Sequence, residues 1–399
     1  MRLRHHGDIN LPMPSEQLVT RSGRGGGNYI VIFGILLLTC LLLAFANGAN
    51  DNFKGVATLF GSGTTNYRAA LTLATVTTCL GSFTAILLAG LLLEAFGGKG
   101  FVSDALVGNA EYCAAVALGT GLTVLLAARI GMPVSTTHGL VGALVGAGFA
   151  AESAINFAQL GGTFFLPLLT SPILALAATA LIYPILRFVR RSLGVTSETC
   201  LCANRGVVEV IAAEGSVVLQ RAEHLKLRAG DVVTCRNRYQ GHVFGLEVGT
   251  ILDKLHYLSA GVASFARGLN DTPKIAALLL VVPQLGGKVS IALVGLMIAI
   301  GGVLNGRRVA ETMSKKISGI NHGQGLTSNL ISGIIVIGAS ALGVPVSTTH
   351  VSCGSLFGIG TITGQARWMT VSTIIVAWVA TLPVGAILGA LSFWIIRWC

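Results

Sequence analysis

The chain has 399 residues, of which 53% are hydrophobic and only 11% are charged, and its mean hydropathy is +0.76. An ordinary soluble domain has about 25% charged residues, so this composition excludes a soluble globular protein. The formal net charge of +11 would suit a nucleic-acid-binding protein, but no nucleic-acid-binding motif accompanies it. We therefore assign the excess of Lys and Arg to the cytoplasmic loops of a membrane protein and expect no nucleic acid among its partners.

Residues 1–28 form a polar, glycine-rich tail that continues directly into an apolar run. The tail lacks the small-residue processing site that ends a cleavable signal peptide. A membrane-spanning helix needs about 20 mainly apolar residues. Stretches of that kind recur at 29–46, 68–93, 112–130, 163–186, 288–304, 326–342 and 370–396. This spacing predicts an all-α polytopic membrane protein.

Two pairs of matching segments indicate that the chain is a duplication. The segment GMPVSTTHGLVGALVGAG at 131–148 matches GVPVSTTHVSCGSLFGIG at 343–360, with PVSTTH identical at an offset of 212. Upstream, FANGANDNFKGVA at 45–57 matches FARGLNDTPKIAA at 265–277, at an offset of 220. Two motifs in the same order at similar offsets predict two transmembrane repeats, which we place at 29–191 and 252–399.

Between the repeats, residues 192–251 have a different composition, with alternating apolar and polar residues interrupted by glycine turns. This pattern predicts a small β-rich insert. The insert holds three cysteines and two histidines, at 200, 202, 235, 224 and 242, whose spacing fits no zinc pattern. We interpret the cysteines as unpaired cytosolic thiols and expect no bound metal.

The charges of two equivalent loops predict that the repeats are inverted. The loop at 94–111 has one basic and three acidic residues, whereas the loop at 305–323 has four basic residues and one acidic residue. Basic loops lie in the cytoplasm, so the two loops are on opposite sides and each repeat has an odd number of spans. Five fit in the first repeat, with a short, part-spanning fourth at 138–151. The insert is then cytoplasmic and both termini lie outside, although the basic tail argues against that side for the N-terminus.

In each PVSTTH motif, Pro and the hydroxyl side chains suit the start of a helix, where free backbone N–H groups make an anion site. Three adjacent hydroxyl groups can add donors around a tetrahedral oxyanion. Two inverted copies would face one another near the middle of the membrane, on broken or re-entrant helices. The predicted phosphate ligands are Ser135, Thr136, Thr137, Ser347, Thr348 and Thr349, together with Asn50 and Asn270. The alternative is that each motif is only a helix cap.

Asp51 and Asp271 lie in apolar surroundings, where a buried carboxylate costs at least about 2.5 kcal/mol. We predict that both bind the coupling cation. Neighbouring Gly and Asn residues would interrupt the helix and free carbonyl oxygens for a cation cage; they are Gly48, Asn50, Gly268 and Asn270. The alternative is that each Asp pairs with the Lys three residues later, at Lys54 or Lys274.

His138 and His350 close the two PVSTTH motifs. Histidine titrates near neutral pH, so both could carry protons. A histidine that is hydrogen-bonded only to stabilise the helix start is an equally good interpretation.

These motifs resemble those of the PiT family of inorganic phosphate transporters, which has a duplicated GANDxxNA-like motif and a duplicated G-x-PVSTTH motif. The segment GRRVAETMSKKI at 306–317 is similar to the cytoplasmic loop in the family's second half. The resemblance covers both repeats. It implies a multi-pass transporter in the cell membrane, of the bacterial inner-membrane type, and not an enzyme. It also implies phosphate symport with sodium or a proton by alternating access, without a cofactor and with a homodimer as one open assembly.

The residues after each Asn-Asp pair depart from the family pattern. The Asn and Ala that commonly follow the pair are replaced, and Lys54 and Lys274 appear instead. This leaves the coupling ion open. Arg267 stands where Asn47 stands in the first repeat, and either assists an anion or faces a loop.

One branch of the family carries sulfate, so an oxyanion permease is the main alternative function. An intramembrane hydrolase fits less well, because it needs one asymmetric site with a nucleophile, a base and a residue that orients the base. A channel also fits less well, because its anion-binding residues would come from a ring of subunits.

Overall fold

The computed structural model describes residues 26–88, 90–96, 100–194, 199–211, 217–231 and 245–398. The polar tail at 1–25 lies outside the described residues. The described part of the first half consists of helices and the turns that connect them. Its helices are α1 (Gly26–Asp51), α2 (Ala57–Gly61), α3 (Tyr67–Leu88), α4 (Gly90–Phe96), α5 (Asp104–Val107), α6 (Ala110–Arg129), α7 (Thr136–Ala150), α8 (Phe157–Leu160) and α9 (Leu166–Ser192).

The second half repeats the order of the long helices. Its helices are α10 (Val248–Ala276), α11 (Gly286–Asn305), α12 (Arg307–Glu311), α13 (His322–Ala341), α14 (Thr348–Thr363) and α15 (Trp368–Trp398). Short 3-10 turns follow α1 and α10, at Lys54–Val56 and Ala277–Val281. Single π-helical turns lie at Gly161–Phe165 and Thr312–Lys316.

The segment between the halves contains a three-stranded antiparallel sheet in the order β2-β1-β3, with strands β1 (Thr199–Ile211), β2 (Val217–Asp231) and β3 (Gly245–Glu247). The β1–β2 register starts with Thr199 opposite Asp231 and shifts between Arg205 and Val207. The cysteine and histidine side chains that bear on a zinc site in this segment lie outside the described residues.

Among the residues that the structure describes, seven helices are long and apolar enough to cross a membrane. They include all seven apolar stretches that the sequence indicates, which confirms a polytopic membrane protein with a helical membrane part. Large apolar side chains face outward, as they do on a lipid-facing surface; Leu87 and Met369 are each 82% exposed.

The helices that carry PVSTTH are shorter than a full span. Helix α7 has 15 residues and α14 has 16. At 1.5 Å per residue they are about 22–24 Å long, against about 30 Å for the hydrocarbon core. Each follows a long helix, α6 or α13, after a short extended connection that contains the Pro of the motif.

Equivalent helices make equivalent contacts in the two halves. Helix α1 packs against α6, as α10 packs against α13. Other contacts are exchanged between the halves: α1 packs against α11 and α10 against α3, while α7 packs against α15 and α14 against α9. Neither motif helix therefore has its main long-helix partner in its own half.

Glycines allow the exchanged helices to approach closely. An added Cβ on Gly142 or Gly146 of α7 would overlap backbone carbonyl groups of α15. The equivalent glycines of α14, Gly354 and Gly358, lie against backbone carbonyl groups of α9. These small-residue faces allow backbone-to-backbone packing. Such packing drives helix association inside the membrane, where the hydrophobic effect does not bring helices together.

The interpretation that glycine and asparagine interrupt the helices before the aspartates is wrong. Helix α1 continues to Asp51, and α10 runs unbroken through Asp271 to Ala276. Gly48 and Gly268 serve packing instead, because each lies directly against a backbone carbonyl oxygen of the opposite half, at Ile298 and Thr78. The backbone changes to 3-10 geometry only after the Asn-Asp pair.

Candidate functional site

Each PVSTTH motif forms the start of a helix with its serine as the N-cap. The Oγ atom of Ser135 accepts a hydrogen bond from the His138 backbone N–H at 3.1 Å, and Ser347 accepts from the His350 N–H at 3.2 Å. The cap thus binds one of the free N–H groups of the first turn. The N–H groups of the two threonines that follow each serine are at the positive end of the helix dipole.

The two motifs meet although 212 residues separate them in the chain. Thr349 Oγ1 of the second motif donates to the Val134 carbonyl oxygen of the first motif at 2.8 Å. The rings of His138 and His350 lie edge to face, with their centroids 4.5 Å apart. Two helix starts that each favour an anion therefore share one buried region.

Asp51 is at the centre of the first half of the site. Its Oδ1 atom forms an ion pair with Lys54. Its Oδ2 atom accepts hydrogen bonds from Asn47 Nδ2 at 3.0 Å and from Thr136 Oγ1 at 3.2 Å. The pairing with Lys that the spacing suggested is therefore present, and the same carboxylate also reaches the PVSTTH motif.

Asp271 repeats this arrangement in the second half. Its Oδ1 atom lies 3.3 Å from Lys274 Nζ and accepts from Asn270 Nδ2 at 3.2 Å. Its Oδ2 atom accepts from Thr348 Oγ1 at 3.2 Å, the same distance as in the first half. Both aspartates are buried, with 1% and 3% of the residue exposed.

Both lysines reach across to the other half. Lys54 Nζ lies 2.5 Å from Thr349 Oγ1, and Lys274 Nζ lies 3.1 Å from Thr137 Oγ1. The exchanged helix packing thus continues into the polar contacts, because each ammonium group bridges an aspartate of its own half and a threonine of the opposite motif.

Arg267 faces the site and not a loop. It is 2% exposed, and its Nη1 and Nη2 atoms donate to Asn47 Oδ1 and Asn52 Oδ1, each at 3.2 Å. Its buried Nε atom has no partner among the described residues. A guanidinium group with a free donor in a dry region is able to bind an anion.

The buried charges of the described part of the chain do not cancel. The buried Asp, Glu, Lys and Arg residues are Asp51, Lys54, Arg267, Asp271 and Lys274, which supply three positive and two negative charges. All five belong to this site. An uncompensated buried charge is costly, so a bound anion would stabilise the arrangement.

Asn50 and Asn270 connect the aspartate helices to the extended chain before each motif helix. Asn50 Nδ2 donates to the Met132 carbonyl oxygen at 2.8 Å, and Asn270 Nδ2 donates to the Val346 carbonyl oxygen at 3.2 Å. Both asparagines therefore lie at the motifs, and their role as phosphate ligands stays a prediction.

The two histidines are hydrogen-bonded to the long helices that cross the motifs. His138 Nδ1 lies 3.2 Å from the Trp378 carbonyl oxygen, and His350 Nδ1 lies 3.2 Å from the Leu168 carbonyl oxygen. A carbonyl oxygen only accepts, so each Nδ1 carries the hydrogen. This supports a positioning role for the rings, while the Nε2 atom of His350 has no partner among the described residues.

Sequence reasoning missed Asn47, Asn52 and Trp378. Asn47 bridges Asp51, Thr136 and Arg267, and Trp378 donates from Nε1 to the Pro133 carbonyl oxygen at 3.1 Å. The alignment of Asn47 with Arg267 between the repeats was a signal for the first. No comparable signal marks Trp378, which lies in an apolar span.

Comparison with known proteins gives one consistent result. A phosphate permease of Pyrococcus abyssi is 27% identical over 90% of this chain and 98% of its own length. The chloroplast inorganic phosphate transporter 2-1 of Arabidopsis thaliana is 29% identical over 90% of this chain and 71% of its own length. The structure of a sodium-dependent phosphate transporter is 20% identical, with a TM-score of 0.71 over 92% of this chain and 99% of that one, and so has a similar fold.

The family match is decisive because it covers the whole site. Residues 47–389, from Asn47 to the helix that contacts both motifs, match the Phosphate transporter family. This family is a class of transporters, so the hydrolase alternative is wrong and the chain is not an enzyme. The duplicated motifs, the buried site that they share and this match together show that the chain belongs to the phosphate transporter family.

Proposed function

We propose that the chain is a secondary active transporter that carries inorganic phosphate across the cell membrane, by symport with sodium or a proton and by alternating access. The observation that carries this proposal is the meeting of two capped helix starts beside an excess of one buried positive charge. Such a region attracts an anion from both sides. It needs no cofactor other than the co-transported ion.

The anion would bind between the two helix starts. The ligands in this proposal are the backbone N–H groups and hydroxyl groups of Ser135, Thr136, Thr137, Ser347, Thr348 and Thr349, with the amides of Asn50 and Asn270. Charge-assisted hydrogen bonds to a phosphate oxygen are about twice as strong as neutral ones. Arg267, with its free Nε donor, adds a ligand that the motifs alone do not supply.

The position of the aspartates favours phosphate over sulfate. Thr136 and Thr348 each lie 3.2 Å from an aspartate Oδ2 atom, so both carboxylates border the proposed anion site. Phosphate near neutral pH keeps a proton that can be donated to a carboxylate, whereas sulfate has only acceptor oxygens. Sulfate would meet two repelling carboxylates without such a bond.

The exchanged packing of equivalent helices supports two related repeats, and we place them in inverted topology, which alternating access commonly uses. In this arrangement the loop at 94–111 and both termini lie outside, and the insert and the loop at 305–323 lie in the cytoplasm. Single cysteines in place of Ser103 and Lys316, both exposed, would test it in a cysteine-free background. Labelling of the two positions from opposite sides supports inversion, and labelling from the same side contradicts it.

Uptake of labelled phosphate into proteoliposomes tests the function. Sodium and proton gradients are imposed separately, with sulfate as a competitor. We expect accumulation under one gradient and weak competition by sulfate. Empty liposomes and the Asp51→Asn variant are the controls, and accumulation that persists in this variant would remove Asp51 from the coupling mechanism. Uptake of sulfate but not phosphate would contradict the proposal.

A further inference from the structure

Each half of the site contains an oxygen cage, and a lysine ammonium group occupies it. Lys54 Nζ is surrounded by Asn50 Oδ1 at 2.7 Å, the Val134 carbonyl oxygen at 3.0 Å, Thr349 Oγ1 at 2.5 Å and the Asp51 carboxylate. An ammonium group has three donors. Four oxygen partners therefore satisfy it completely.

Lys274 occupies the second cage with a similar set of ligands. Its Nζ atom contacts the Val346 carbonyl oxygen at 2.7 Å, Thr137 Oγ1 at 3.1 Å and Asp271 Oδ1 at 3.3 Å. Each cage thus combines a carboxylate, a backbone carbonyl from the motif of its own half and a threonine hydroxyl from the other half. Oxygen sets of this kind are the ones that bind hard cations in proteins.

The carboxylate oxygens of both cages already have donors. Asp51 Oδ2 accepts from Asn47 and Thr136, and Asp271 Oδ2 accepts from Thr348. A metal cation would have to displace these donors as well as the ammonium group. It would also add charge to a region that already has three positive and two negative groups, where like charges repel strongly at low dielectric.

We propose that the ammonium groups of Lys54 and Lys274 replace a dissociable metal cation in these two cages, so that the anion binds to this chain without sodium. The identity of the anion rests on the proposed phosphate transport, but the occupancy of the cages does not. The lysine cation is covalently attached and always present. Of the two coupling ions considered above, sodium is therefore the one without a place in the site.

Binding of phosphate to the purified protein, measured by calorimetry in sodium chloride and in choline chloride at equal ionic strength, tests the inference. We expect the same affinity in both salts. An affinity that is at least about tenfold higher in sodium would overturn the inference.

Two double variants provide matched controls. Lys54→Asn/Lys274→Asn removes both ammonium groups and leaves an amide oxygen for a metal ion, so phosphate affinity should fall at least about tenfold in choline and recover in sodium. Lys54→Met/Lys274→Met keeps a long side chain without charge or oxygen, so affinity should fall in both salts. Failure of sodium to restore binding in the asparagine variant would count against the cages as cation sites.

A second measurement separates this inference from the proposed function. If phosphate binds in neither salt, phosphate transport is wrong, and the thermal unfolding temperature of the wild type in the two salts decides the question of the cages. A sodium-specific rise in the wild type overturns the inference. A rise confined to the asparagine variant supports it.

Discussion

The two halves of the site share one framework and differ in one charge. In both, an aspartate pairs with the lysine three residues later and accepts a threonine hydroxyl of its own motif at 3.2 Å. Asn47 and Arg267, however, occupy equivalent positions in the repeats. The arginine of the second half donates to asparagines of the first half, so the extra positive charge lies between the halves.

This difference separates two properties of the site, its shape and its net charge. The duplicated framework builds two helix starts and balances each lysine with an aspartate, which gives no net charge. The single unmatched Arg267 gives the region its excess positive charge. In the proposed function, the difference between Asn47 and Arg267 supplies the electrostatic preference for an anion, whereas the shared positions supply the shape. Variants of equivalent residues can test this division of roles.

The largest effect should come from removing an aspartate. Asp51→Asn or Asp271→Asn leaves a buried lysine without its counter-charge, which costs about 3–5 kcal/mol of stability, and gradient-driven phosphate uptake should be lost. Each aspartate accepts three side-chain hydrogen bonds, so the two variants should lose similar stability. Chemical unfolding in detergent and uptake measure the two effects. Glu311→Gln is the control, since its ion pair with Arg307 is exposed and should change stability by at most about 1 kcal/mol.

Arg267→Met should weaken phosphate binding without the loss of a counter-charge pair. A hydrogen bond to a charged group contributes about 1.5–3 kcal/mol, so affinity should fall about 10- to 150-fold. Arg267→Lys, which keeps the charge, should lose less, and calorimetry measures both. If Arg267→Met binds phosphate as the wild type does, the asymmetric charge is structural and the comparison above fails.

Alanine at the packing glycines should destabilise both halves alike. Gly48 and Gly268 each lie against a backbone carbonyl group of the opposite half, and forcing a methyl group into such a contact costs about 1–3 kcal/mol. Thermal unfolding in detergent measures the loss. Gly338→Ala in α13 is the control, because nothing lies within 4 Å of its added Cβ. A clearly larger loss at one of the two glycines would show that the exchanged contacts are not equivalent.

The smallest effect should come from Thr136→Val and Thr348→Val. Each variant removes one hydroxyl donor, which contributes about 0.5–1.5 kcal/mol, so phosphate affinity should fall about two- to tenfold. The Thr–Asp distances are equal, but Thr136 Oγ1 also accepts from Asn47 Nδ2 at 3.0 Å, so the loss should be at least as large for Thr136→Val as for Thr348→Val. Thr84→Val is the control, since Thr84 is partly exposed, lies outside the site and donates to the Leu80 carbonyl oxygen of its own helix. Unchanged affinity in both variants would remove these hydroxyl groups from the anion site.

The spans and the half-sites were predictable for physical reasons. An apolar run of about 20 residues has to form a helix in lipid, because no water is there to bond its backbone. The Asp51–Lys54 pair was visible as a spacing of three residues, although Lys54 lies in the 3-10 turn after α1. Capping by Ser135 was visible because a hydroxyl before a helical run accepts first-turn N–H groups.

The contacts between the halves were not predictable from local patterns. The Lys54–Thr349 contact joins residues 295 positions apart, and the sequence around either residue does not indicate the other as its partner. The direction of Arg267 was ambiguous because its partners, Asn47 and Asn52, are in the other half of the chain. The glycines beside the aspartates were misinterpreted as helix breaks, since glycine serves close packing and chain flexibility equally well.

The exchanged packing of α7 and α15 has a consequence for biosynthesis. Residues 151–367 are synthesised between the end of α7 and the start of α15. During that time the glycine face of α7 has not yet met the helix that covers it. The first repeat on its own is therefore an unfinished structure and not a smaller transporter. A stop codon before Trp368, which deletes α15, removes the packing partner of a helix encoded in the first half.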